Sequence, residues 1–435
     1  MPSEDLENKF QTPGSALESN RSELVTSRKK SKILIVQGDW EAGLGLLAQD
    51  LEDEGHQVGK VIFCASDYIY KFFGIRTHVY RDKIDNFQAW VTELIKNEGY
   101  DTVFLYNHYR PYNQIVWDLS EKMTLECWVF ELGLIRPNCV MVFEKNSFPL
   151  TTIAEKWDKI LKGAAAPEKH ITPPELCRVS TPVKLVNFGA NFVFSRLTSP
   201  LFPNFIDQRD MHLGKHVKHG LIHLWRFFQR AGDEEYDTYF ATELSGKYYA
   251  VPLQVHSDTQ ILQNSTFESI EEFVATVVES FEKHAPKDTK LVFKVHPMDR
   301  GYKDYADLID GLNHRIGEER LFYVDRVHLP TLLENARGLV NINSSVGISA
   351  LIHGNPVIAL GNAVYDLPEL TFQGDLDDFW TQAPTPQKRL VNHFLNLLLE
   401  TCQGRGTLSQ RCFDVPGRTR IRWPIAFSNS FFNRP

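Results

Sequence analysis

The stretch GLVNINSSVGISALIHGNPVIALG, residues 338–361, decides the fold. It opens on a short apolar run and passes through Asn343, Ser344 and Ser345. It then continues with apolar residues at helical spacing, stops at Gly354 and restarts as a second apolar run. A strand, a helix and a strand this close together form a βαβ unit. Such a unit lays its strands parallel and its helix against one face of the sheet.

The same rhythm runs outward in both directions. Toward the N-terminus, KYYAVPLQV (247–255), KLVFKVHP (290–297) and RLFYVD (320–325) read as strands. SIEEFVATVVESFEKHA (269–285), ADLIDGLNHRI (306–316) and LPTLLENA (329–336) read as the helices around them. An earlier block repeats the pattern, with strands KILIVQG (32–38), HQVGKVIFC (56–64), DTVFLY (101–106) and CWVFE (127–131). Its helices are 41–55, 86–99 and 114–123. Two such blocks predict an α/β chain of the GT-B-like class, two Rossmann-like domains facing a central cleft. No G-x-G-x-x-G fingerprint is present, since QGDWEAGLG (37–45) does not fit it.

The expected organisation is a disordered tail over 1–31, an N-terminal Rossmann-like domain over 32–160 and an aromatic, His-rich insertion over 161–245. A C-terminal Rossmann-like domain over 246–380 follows, then a helix and tail over 381–435. A net charge of −8 argues against a nucleic-acid partner. The six cysteines are scattered without C-x-x-C spacing, as expected of buried, reduced thiols in a cytoplasmic protein. No 18-residue apolar run is present, and the polar start lacks a signal-peptide core.

In doubly wound sheets ligands gather at the carboxyl ends of the strands, so polar residues there are the candidates. Glu131 ends an apolar strand, where an unpartnered carboxylate is costly. It is the candidate catalytic group, or else a turn residue facing water. Arg136, five residues on, is a candidate for binding the sugar or nucleotide. His296, stiffened by Pro297, is positioned to meet a phosphate, or else caps its strand. Asn343, Ser344 and Ser345, at a helix start, suit an anion, or form an ordinary cap. Gln254, His256, Asp258 and Gln260 follow a strand and suit a sugar or nucleobase. Arg110, in LYNHYRP, suits a carboxylate or phosphate, or a salt bridge within its domain. No D-x-D pair or Cys/His cluster demands a metal.

One further run, residues 211–230, places His212, His216, His219 and His223 at spacings of four, three and four. Gly214 and Gly220 weaken a helix there, and no carboxylate or thiol joins the histidines, so a metal site is disfavoured. Lys215, Lys218, Arg226 and Arg230 alternate with Trp225, Phe227 and Phe228, as suits an anionic membrane surface.

Taken in order, FELGLIRP, VPLQVHSDTQI, KVHPMDRG, NINSSVGISALIHGNPV and GNAVYD…LTFQG resemble the capsule polysaccharide synthesis family, and within it the KpsS/LipB-type β-Kdo transferases. The resemblance covers roughly residues 33–380. It implies a retaining GT-B transferase that takes Kdo from CMP-Kdo to a lyso-phosphatidylglycerol-linked acceptor. It also implies work on the inner face of the cytoplasmic membrane, among other capsule synthesis and export proteins. Residue by residue, it implies that Glu131 is the carboxylate of an acidic motif, that His296 contacts the CMP phosphate and that Ser344 and Ser345 bind it. It implies no cofactor. Relatives often carry two acids before the glycine, where this chain has Glu131 and then Leu132. That difference keeps two alternatives in view: a non-catalytic glycan- or lipid-binding component of capsule export, or a GT-B transferase for another sugar nucleotide.

Overall fold

The structure is a computed structural model. It describes residues 30–37, 43–65, 67, 74–136, 139–163, 176–177, 193–206, 222, 235–256, 265–299, 302–316, 319–408, 411–412 and 415–432.

The first block comprises β1 (Lys32–Ile35), α1 (Gly43–Asp53), β2 (Gln57–Ile62), β3 (Arg76–Val79), α2 (Phe87–Glu98), β4 (Thr102–Tyr106), α3 (Pro111–Lys122), β5 (Glu126–Leu132), β6 (Cys139–Glu144) and α4 (Pro149–Leu161). After the short β7 (Leu176–Cys177) and α5 (Glu235–Ala241), the second block is β8 (Tyr248–Pro252), α6 (Ile270–His284), β9 (Lys290–Lys294), α7 (Ala306–Ile316), β10 (Leu321–Val324), α8 (Leu329–Glu334), β11 (Gly338–Asn341), α9 (Val346–Ile352) and β12 (Val357–Ala359). The chain closes with α10 (Leu376–Gln382), α11 (Lys388–Thr401), β13 (Gln403–Arg405), β14 (Arg411–Cys412) and α12 (Ile425–Phe431).

The two blocks form separate sheets. The first has the order β13-β6-β5-β4-β1-β2-β3 and the second β10-β9-β8-β11-β12. All neighbours in the second sheet pair in parallel. In each sheet the chain winds outward one way, then returns to the centre and winds the other. The order therefore reverses between β1 and β4, and between β8 and β11. A crevice opens at the carboxyl ends at such a switch point. The α/β, GT-B-like class with two Rossmann-like units is the observed one.

The local signals are ordinary ones. Ser269 caps α6, its Oγ accepting from Glu272 N at 3.2 Å, and Glu271 and Glu272 in the first turn complement the helix dipole. Proline opens α3, α4 and α8, where its missing N–H costs no helical bond.

Two features depart from the expected rhythm. The sheet is not wholly parallel: β5 pairs antiparallel with β6, Glu131 opposite Met141. Only residues 133–138 join them, too few for a helical crossover. Gly133 makes the reversal possible, because a Cβ there would lie 2.1 Å from the Cys139 carbonyl oxygen.

The expected C-terminal tail is structural. β13 pairs antiparallel with β6, and α12 lies on the first sheet. Ile421, Trp423, Phe427 and Phe431 join Ile33, Ile35, Phe104, Trp128 and Phe130 in one buried cluster. A second cluster runs from the other face of the first sheet through Trp157 of α4 and Phe394 and Leu398 of α11 to Tyr248 and Ala250 of β8. Trp157 Nε1 also donates to the Pro368 carbonyl at 3.0 Å, tying the two blocks together.

Cys127, Cys139 and Cys402 are buried and Cys64 is partly buried, and none of these four is in a disulfide. Burial pushes the Cys127 and Cys402 thiols up to about 12, which leaves them inert at neutral pH. Among the described residues, no helix is long and apolar enough to cross a membrane. Residues 1–29 of the expected N-terminal tail and nearly all of the basic, aromatic run at 211–230 lie outside the described residues, while Ser31, expected in that tail, is buried against the first block, its N–H donating to His56 Nδ1 at 3.1 Å.

Candidate functional site

The expected site residues fall into two groups, one at each carboxyl edge. On the first sheet, β5 alternates as a two-sided strand must. Cys127 and Val129 enter one core cluster, while Trp128 and Phe130 enter the other. Glu131 therefore shares the face of Val129, and Leu132 points to the opposite face, where it is 65% exposed.

Glu131 is not merely facing water. Its Oε1 lies 3.1 Å from His108 Nδ1, and the side chain is only 19% exposed. His108 follows β4, whose Tyr106 is in register with Phe130 of β5. Asn107 makes the turn at φ +60°, a conformation that asparagine tolerates better than most residues. Its Oδ1 accepts from Tyr109 N at 3.0 Å, and its carbonyl accepts from the fully buried Asn113 Nδ2 at 3.0 Å. That turn aims His108 back over the end of β5. The imidazole is then held in an aromatic box, with ring centroids 3.8 Å from Tyr109 and 4.6 Å from Trp117. Phe143 and Phe148 stand edge-on at 6.3 Å. A ring fixed in this way presents Nδ1 to the carboxylate with little freedom to turn away.

Two further candidates, Arg110 and Arg136, follow β4 and β5. Arg110 precedes α3 with its guanidinium carbon 5.0 Å from the Tyr106 ring centre, and Arg136 Nε donates to the Gly133 carbonyl at 3.2 Å. Arg110 thus stacks on the strand end, and Arg136 braces the reversal.

On the second sheet the groups come from three adjacent strands. Gln254 follows β8 and Asn343 follows β11, so the pair spans the switch point. Gln254 Nε2 donates to Asn343 Oδ1 at 2.9 Å, and Asn343 N donates to Gln254 Oε1 at 3.2 Å. Gln254, expected at the sugar or base, has both ends of its amide on Asn343, which fixes that turn.

The serine turn is stiffened from beneath. The Tyr365 hydroxyl lies 2.7 Å from the Ser344 carbonyl and 2.9 Å from Asn341 Oδ1. Gly347 permits this approach, since a Cβ there would fall 2.4 Å from the Tyr365 ring. Ser344 Oγ accepts from Val346 N at 3.3 Å, which leaves its hydroxyl proton to donate. Ser345 makes no side-chain cap bond in α9. His296 Nδ1 accepts from Met298 N at 3.1 Å, so the neutral ring carries its proton on Nε2. A serine hydroxyl and an imidazole N–H at one sheet edge are groups of the kind that meet a phosphate. Asp258 and Gln260 lie outside the described residues.

Two partners in these clusters were not legible as partners. His108 sits in the LYNHYRP stretch, but nothing linear ties it to Glu131. Asp299 sits inside KVHPMDRG and contacts His256 of the preceding strand end.

The two doubly wound sheets, each gathering polar side chains at its carboxyl edge, define a double-Rossmann α/β protein. Residues 101–408 match the sequence profile of the capsule polysaccharide biosynthesis proteins, and the chain belongs to that family. It is 30% identical over 404 residues to the capsule polysaccharide modification protein LipB of Neisseria meningitidis serogroup B, covering 91% of this chain and 96% of LipB. It is 28% identical over 389 residues to the capsule polysaccharide export protein KpsS of Escherichia coli, covering 89% and 98% of the two chains. Among solved structures, the β-Kdo 2,7 transferase KpsC of Thermosulfurimonas dismutans aligns over 86% of this chain and 92% of its own. That alignment has 13% identity and a TM-score of 0.39, too loose a likeness to add to the topology.

Proposed function

We propose that this protein is a glycosyltransferase of capsule polysaccharide assembly, transferring Kdo or a related ulosonic acid from its CMP form to a lipid-linked acceptor. The observation that carries the reading is the division of the site. A clamped carboxylate, Glu131, ends one sheet, and a polar set, His296, Asn343, Ser344 and Ser345, ends the other. Relatives named for capsule modification and export support the setting.

The chemistry follows from the groups. The donor presents a phosphate and the sugar's own carboxylate, two anions that need donors rather than acids. His296 Nε2–H and the serine turn stabilise the departing phosphate, with Asp258, Gln260 and Arg110 shaping the sugar pocket and Arg136 bracing the strand reversal beside Glu131. Glu131 acts on the acceptor hydroxyl as a base or on the anomeric carbon as a nucleophile. No metal or other cofactor has a part in this scheme. The site of action is the inner face of the cytoplasmic membrane, with the 211–230 run as the surface contact.

A second reading, a non-catalytic component of capsule export, is favoured by one observation. Leu132, where relatives often carry an acid, is an exposed leucine. Incubation with CMP-Kdo and a lyso-phosphatidylglycerol mimic, followed by mass spectrometry, separates the two. Transfer predicts a product heavier by one Kdo residue. CMP binding without product favours the second reading.

A further inference from the structure

The second sheet carries an imidazole to which the scheme above gives no task. His256 follows β8 and Asp299 ends the single turn Pro297–Asp299 after β9, on adjacent strands whose register sets Pro252 opposite Lys294. Asp299 is buried, its side chain 1% exposed, and both its oxygens face His256. Oδ2 accepts the His256 backbone N–H at 2.9 Å, and Oδ1 lies 2.6 Å from His256 Nδ1. A carboxylate only accepts, so the short contact places a proton on Nδ1. In the neutral ring, Nε2 then carries a lone pair. The ring is 39% exposed, with the Tyr302 ring near-parallel at 6.3 Å.

His296, three residues before Asp299, has the opposite arrangement, with a backbone N–H at Nδ1 and its proton on Nε2. One sheet edge thus displays two histidines of opposite tautomer, one a donor and one an acceptor. The donor suits an anion. The acceptor is of no use to an anion and suits an O–H group.

We propose that His256 Nε2 is a proton-accepting contact for a hydroxyl of the bound substrate, held in that form by Asp299. The proposal rests on the reading of this edge as the donor site. The hydroxyl belongs either to the nucleotide sugar or to the acceptor, and the chemistry that recognises it is the same.

The test uses the full chain with 15N-labelled histidine. Long-range proton–nitrogen spectra near pH 7.5, with the His256→Gln variant assigning the signal, are expected to show His256 protonated at Nδ1 alone. Asp299→Asn provides the counter-test. The backbone N–H of His256 keeps the amide oxygen, so the amide NH2 faces Nδ1 and drives the ring proton to Nε2. Binding of CMP, UMP, GMP and AMP is then measured, and transfer is assayed in parallel. With the nucleotide that wild type prefers, His256→Phe and Asp299→Asn are each expected to lose about tenfold in affinity or in turnover, with His256→Gln, which keeps an acceptor oxygen, losing less. A loss of affinity absent with the 2′-deoxynucleotide assigns the hydroxyl to the ribose. A fall in kcat at unchanged donor KM assigns it to the acceptor. A wild-type ring protonated at Nε2 or at both nitrogens overturns the proposal, as do variants that bind and turn over like wild type. Wild type binding none of the four nucleotides removes the donor-site reading itself, and the proposal with it.

Discussion

His108 Nδ1 and Glu131 Oε1 stand 3.1 Å apart across the ends of two adjacent strands. The contact gives the carboxylate a fixed direction, and it exists because Asn107 turns the chain at a positive φ. A hydrogen bond to a charged group contributes about 1.5–3 kcal/mol, so its loss should be visible in catalysis. His108→Phe keeps the aromatic box filled and removes the bond. Transfer should fall roughly tenfold to a hundredfold, with Tm changed by no more than a few degrees. Retention of full activity would show that Glu131 needs no clamp.

Leu132 offers a direct test of which carboxylate matters. Its side chain points away from the face of Glu131, so an acid there faces the wrong way. Leu132→Glu should fold normally, within about 0.5 kcal/mol of wild type, because the residue is exposed. It should not restore transfer to Glu131→Gln. Rescue in the double variant would move the chemistry to position 132.

Gly347 and Tyr365 form one unit beneath the serine turn. Gly347→Ala forces the Tyr365 ring aside and breaks its contact with the Ser344 carbonyl. The expected cost is about 1–3 kcal/mol of stability together with weaker nucleotide binding. Tyr365→Phe keeps the ring but leaves the turn without its hydroxyl, so it should weaken binding with a smaller loss of stability. Calorimetric titration of both variants checks the order.

His56 ties the ends of the chain to the first sheet, and its behaviour sets a pH dependence. Nδ1 accepts from Ser31 N at 3.1 Å and Nε2 lies 3.0 Å from the Phe431 carbonyl. Burial, partly offset by the bond to Phe431, holds its pKa below the ordinary 6.5. Below that value the unfolded chain binds the proton more readily than the folded one. The stabilising contribution is therefore complete above 6.5 and is lost as pH falls through the depressed folded value. Wild-type Tm should drop on acidification below about pH 6.5, and His56→Gln should flatten that drop.

Much of the fold was legible because each βα unit carries its own local signals: an apolar strand, a Gly or Pro stop and an amphipathic helix. The strand ends followed, since a doubly wound sheet places them on one edge. What local pattern did not show was non-local. The antiparallel return of β6 depends on backbone reversal at Gly133. The C-terminal residues Trp423, Phe427 and Phe431 read as a tail because their partners, Phe104, Trp128 and Phe130, lie some 300 residues earlier. The pairs His108–Glu131, His256–Asp299 and Gln254–Asn343 join residues on neighbouring strands, and no spacing along one segment encodes such a pairing.

Glu131 carries the central claim, and one comparison tests it most directly. Wild type and Glu131→Gln, matched for Tm and for nucleotide affinity, are incubated with CMP-Kdo and a lyso-phosphatidylglycerol mimic, and the product is followed by mass. The account predicts a product of one added Kdo residue from wild type and a loss of at least about a hundredfold in the variant. A Glu131→Gln protein that transfers at the wild-type rate would contradict it.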